Sequence, residues 1–124
     1  MVAAYLYLNG ALFALFAIWC TLAPARTARA LGYAALDPAG RSEYLVIYGG
    51  LQLGLAVAFF LFASNGVWHR IGLLSALSLY AGVVAYRAIT LWIVGPVPAL
   101  TWAVATLELA LLVAASALWL TRTP

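Results

Sequence analysis

Arg87 and Glu108 are the residues of this chain whose chemistry is hardest to place, because each lies inside a long apolar stretch. A charge near the centre of a bilayer costs roughly 2.5–3.5 kcal/mol on insertion scales. Such residues therefore need a reason: mutual neutralisation, contact with a ligand, or movement of a proton. At a helical rise of ~1.5 Å per residue, Arg87 lies about 12 Å before the Gly95 turn and Glu108 about 15 Å beyond Pro98. Gln52 lies roughly 13 Å from Glu43, measured from the same side. Three polar groups from three segments thus share one depth.

Helical faces extend the group. Tyr44, Tyr48 and Gln52 recur every four residues and make one polar stripe; Tyr80, Val84 and Arg87 share a face, as do Thr101, Ala105 and Glu108. Convergence of these faces predicts an Arg87–Glu108 ion pair, with Gln52 and Tyr48 completing its hydrogen bonds. Glu43, at the membrane boundary, is a second candidate partner for Arg87. The cluster Glu43, Tyr44, Tyr48, Gln52, Tyr80, Arg87 and Glu108 then has two readings. It is a buried ion pair that fixes helix register, or a pocket that also contacts a ligand or proton.

Other chemistries are missing. His69 is the single histidine and Cys20 the single cysteine, so no multi-His, haem or Cys-based metal site arises within one chain, and Cys20 reads as a packing residue. No Gly-rich phosphate loop, nucleophile elbow or CxxC occurs, so no catalytic set and no cofactor is implied.

Composition names the medium that holds these groups. The chain has 124 residues, 68% hydrophobic and 7% charged, and contains no Lys; its mean hydropathy is +1.09. Lipid must cover most of its surface. The net charge of +3 comes from six scattered Arg, too sparse for a nucleic-acid track and suited to anionic headgroups. Ala-rich, all-Arg usage suggests a bacterium, and hence its inner membrane.

Four apolar stretches approach the ~20 residues of a membrane crossing, at about 2–22, 44–63, 71–94 and 98–120. Backbone satisfaction in lipid makes all four helices. Trp19, Tyr44, Trp92 and Trp102 mark one interface; Tyr5, Tyr7, Trp68 and Trp119 mark the other. The first stretch reads as an uncleaved span, since no Lys or Arg precedes it and Pro24 crowds the cleavage position. The long loop, 23–43, contains Pro24-Ala25-Arg26-Thr27-Ala28-Arg29-Ala30-Leu31, which reads as a short interfacial helix with Pro in its first turn. Asp37-Pro38-Ala39-Gly40 reads as a turn and Ser42 as the cap of the second span. The expected fold is all-α: one membrane domain, 1–124, as a four-helix bundle with antiparallel neighbours and both termini on one side. Arg26, Arg29 and Arg41 on the loop side, against Arg70 and Arg122 opposite, favour a cytoplasmic long loop.

Small residues predict where helices approach. Gly50 and Gly54 form a GxxxG preceded by Gly49, Ser78 and Gly82 repeat the spacing, and Gly10 with Ala14 and Ala110 with Ala114 do so on the first and fourth spans. Asn9 predicts an interhelical hydrogen bond.

The segment Glu43-Tyr44-Leu45-Val46-Ile47-Tyr48-Gly49-Gly50-Leu51-Gln52-Leu53-Gly54 resembles the signature of a bacterial family of small four-helix membrane proteins, domain of unknown function 4345. That resemblance matches Arg87 to the family's Arg late in the third helix, Gly95-Pro96 to its turn and Glu108 to its Glu in the fourth. Ile93-Val94 stands where the family often has an Asp. The resemblance implies the four-helix membrane fold and carries no activity with it. The expected function is a non-enzymatic membrane protein that binds a lipid or other apolar small molecule, or serves within a homo-oligomer or larger membrane complex. The alternatives are a small oligomeric transporter or proton-coupled carrier using Glu108, and a membrane enzyme acting on an apolar substrate with Glu and Tyr as acid and base.

Overall fold

The computed structural model describes residues 1–122, the side chain of Arg122 excepted, so the Arg122 charge counted above lies outside the described residues. Among the described residues the chain is all helical. Helix α1 (Val2–Leu22) is followed by α2 (Pro24–Ala30), α3 (Pro38–Leu45), a π-helical turn (Val46–Leu51), α4 (Gln52–Ser64), a 3₁₀ turn (Gly66–Trp68), α5 (His69–Val94) and α6 (Ala99–Arg122). The run from Pro38 to Ser64 is one continuous rod. With α1, α5 and α6 it gives four helices long and apolar enough to cross a membrane, as an integral membrane protein requires.

The second rod starts earlier than the apolar pattern suggests. Asp37, not Ser42, caps it: its Oδ1 accepts the Gly40 N–H at 2.6 Å, and Pro38 occupies the first turn, where a missing N–H costs nothing. The expected turn at 37–40 is therefore a helix start. Seven residues after Pro24, α2 ends in a Schellman turn. The Tyr33 N–H reaches the Ala28 carbonyl, the Gly32 N–H reaches Arg29, and Gly32 takes the positive φ (+90°) that favours glycine.

Helix pairing is uneven. α1 lies along the α3–α4 rod, α5 along α6, and the two pairs meet chiefly at one end of the bundle. There Tyr5, Leu6, Phe59, Ala63, Leu73, Ala76, Tyr80, Leu111 and Ala115 form the main core. Toward the long loop a smaller core of Cys20, Ala28 and Tyr44 joins α1, α2 and α3. None of residues 81–110, the second half of α5 and the first half of α6, is buried in the protein.

Close approach follows the same division. A Cβ on Gly10 would stand 2.7 Å from the Phe60 ring, one on Gly49 2.7 Å from Thr21 Oγ1, and one on Gly72 2.8 Å from Phe62 Cβ. At Gly50, Gly54 and Gly82 it would meet nothing within 4 Å, and Ser78 is exposed. The GxxxG glycines are thus not the contact points of this bundle, because they lie on the face of the rod turned away from α1; Gly49 beside them is.

The aromatic assignment also needs correction at two positions. Tyr5 and Tyr44 are buried, their hydroxyls spent inside the protein. Trp19, Trp92, Trp102, Tyr7 and Trp68 remain exposed.

Candidate functional site

Arg87 and Glu108 face each other across the α5–α6 pair. The short 95–98 turn makes these helices antiparallel neighbours, and Gly95 permits its sharp start with φ +85°. The pair is bidentate: Arg87 Nε donates to Glu108 Oε2 at 2.9 Å and Nη2 to Oε1 at 2.8 Å. This fork-to-fork arrangement matches the two planar groups and fixes their relative orientation. It is the one ion pair among the described residues, and its side chains are 33% and 14% exposed respectively. Two of the five guanidinium N–H donors are thereby committed; the others meet no acceptor among the described residues.

The remaining residues of the sequence-derived cluster go to different places. Tyr48 lies within electrostatic reach of Arg87, and Tyr80 within reach of Glu108. Their hydroxyls, however, are engaged elsewhere. Tyr80 donates to Asn9 Oδ1 at 2.5 Å, while Asn9 Nδ2 donates to the Tyr5 carbonyl and the Tyr5 hydroxyl to the Leu111 carbonyl. This buried chain ties α1 to α5 and α6. Tyr48 shares a 2.8 Å hydrogen bond with Tyr33 and stacks on Tyr44 at 4.6 Å between ring centroids. Tyr44 donates to Thr27 Oγ1 at 2.8 Å and lies against Cys20 Sγ. Gln52 is half-buried and its side chain makes no hydrogen bond among the described residues. Glu43 is exposed and unpaired with Arg87, because α3 packs on α2 and, through Tyr44, against Cys20 of α1 rather than on α5.

One sequence-derived group therefore resolves into three: the Arg87–Glu108 fork, a tyrosine clamp on the loop helix, and a Tyr5–Asn9–Tyr80 lock in the main core. Thr27 and Tyr33 were not anticipated. Thr27 resembles any polar residue of a short amphipathic helix, and Tyr33 reaches Tyr48 only because the Gly32 turn reverses the chain. The π turn immediately before Gln52 was likewise unannounced, though such turns recur at functional sites.

Chemically, the fork is a neutral unit with unspent N–H donors in a half of the bundle that contains no buried residue from 81 to 110. It suits a hydrogen-bond-accepting group, not a full counter-charge. No group of three or more metal-ligating side chains occurs among the described residues. No protein-family model matches this chain, no curated protein matches it in sequence, and no solved structure matches it.

Proposed function

We infer that this small integral membrane protein is non-enzymatic and holds an apolar ligand whose neutral head group, a carbonyl or ester oxygen, accepts a hydrogen bond from Arg87. The observation that carries this reading is the fork itself: Glu108 cancels the Arg87 charge, yet the guanidinium keeps unspent donors and the Arg87 side chain one third of its exposure. Lipids, isoprenoids and quinones fit that description, their tails lying along the exposed apolar flanks of α5 and α6. Commitment of both Glu108 oxygens to Arg87 favours binding over proton carriage. On this reading the chain crosses a bacterial inner membrane four times with both termini on one side.

The test uses nanodiscs of phosphatidylcholine containing ubiquinone, with retained ligand read by native mass spectrometry. Arg87→Lys keeps the charge and a contact to Glu108 but loses the planar fork, which directs the unspent guanidinium N–H groups away from Glu108. Retention is expected to fall by about tenfold, the worth of one or two hydrogen bonds, with the thermal midpoint little changed. Equal retention by Arg87→Lys and the unmodified chain would overturn the reading and leave the fork a structural pin.

A further inference from the structure

A second site, chemically unlike the first, lies where α1 hands over to α2. A cavity of about 570 Å³ is lined by Arg26, Arg29 and Arg41 together with Leu22, Pro24 and Leu36. Three of the chain's six Arg thus converge on one space. Local structure explains how. Arg26 and Arg29 are three residues apart on α2 and share a face, while Thr27 and Ala28 are buried on its other side against the Tyr44 cluster. The Gly32 turn then sends the chain back, so that Leu36 and Arg41 close the space opposite.

None of these three Arg side chains has a hydrogen-bond or ion-pair partner among the described residues. Asp37, the acid of the loop, is not on the cavity wall, and its Oδ1 is occupied by the Gly40 N–H. Glu43 does not line the cavity either. Three uncompensated guanidinium groups around a concave space call for a multivalent oxyanion, and phosphate geometry suits Arg forks. Size refines the choice. The volume falls within the ~300–1,000 Å³ of small-molecule sites, and a bare phosphate would leave most of it empty. The wall is apolar at Leu22, Pro24 and Leu36, and it stands at the end of a candidate membrane span.

We propose that the Arg26–Arg29–Arg41 cavity is a specific site for the phosphate-ester head group of an anionic glycerophospholipid, whose acyl chains leave past Leu22. It anchors the loop helix to the bilayer surface and does not depend on the Arg87 fork.

The full chain in nanodiscs of mixed phosphatidylcholine and phosphatidylglycerol tests this, with retained lipid read by native mass spectrometry. Phosphatidylglycerol is expected to be enriched over the bulk ratio by roughly fivefold or more, given the worth of a basic residue at an anionic surface. The R26Q/R29Q/R41Q variant should return retention to the bulk ratio, whereas R70Q should keep the enrichment. If the triple variant fails to fold, R26Q and R29Q are read singly, each expected to lower the enrichment severalfold. Inorganic phosphate added in excess should not displace the lipid. Displacement would make this a free-phosphate site and overturn the lipid assignment. Enrichment that survives loss of the three Arg, or falls equally with R70Q, would overturn the site itself.

Discussion

Gly72 and Gly82 occupy the same helix, α5, and meet opposite surroundings. At Gly72 a methyl group would collide with Phe62 and Leu6; at Gly82 it would meet nothing. The contrast runs through the whole bundle. Around Gly72 all four long helices contribute to one core, sealed by the Tyr5–Asn9–Tyr80 hydrogen bonds. Beyond Gly82, α5 and α6 are held to each other by the Arg87–Glu108 fork, and no residue from 81 to 110 is fully buried. Packing maintains one half and a polar fork maintains the other. Lipid is as apolar as Leu, so helices associate through close fit and polar contacts instead of hydrophobic exclusion. Where the fit is absent, lipid covers the helix faces, and the fork is the polar contact that remains.

The largest expected effect comes from breaking the tight half. Leu6 is completely buried between Phe59, Leu73 and the other core residues. Leu6→Ala is expected to cost about 2–5 kcal/mol through lost contacts and an unfilled cavity, measured by SDS-induced unfolding in mixed micelles. A smaller loss than that of an equivalent Leu→Ala change in the fork half, such as Leu107→Ala, would reverse the comparison. Next comes Gly72→Ala, expected to destabilise by about 1–3 kcal/mol through overpacking against Phe62 and Leu6. The smallest effect has the opposite sign. Gly82→Ala is expected to stabilise by about 0.5–1 kcal/mol, because it restricts the unfolded chain at an unobstructed helical position. Equal destabilisation by the two alanines would show that the halves are packed alike.

The two candidate ligand sites differ in charge as well. The fork is neutral and suits an accepting oxygen, whereas the loop cavity presents three unpaired Arg and suits an anion. A single lipid-binding reading would miss that distinction, and substitutions at Arg87 and at Arg26 or Arg29 separate the two.

Much of the architecture follows from local sequence. Long apolar runs without charge have one solution in lipid, the helix, so the count of four long helices was readable from hydropathy alone. The 95–98 turn is too short for anything but antiparallel neighbours, which is why Arg87 and Glu108 could be matched by depth. Asn9, a polar residue within an apolar run, announced an interhelical bond and makes one with Tyr80. Only tertiary structure decided where the tyrosines point, which glycines touch a neighbour and which half of the bundle closes. A hydroxyl takes the nearest acceptor, and whether that is Thr27, Tyr33 or Asn9 depends on how α2 folds back and how α1 lies against α5. Likewise Gly49 and Gly50 are adjacent in sequence, yet one abuts Thr21 and the other faces open space. Helical periodicity establishes which residues share a face; the packing of the other helices determines what that face meets.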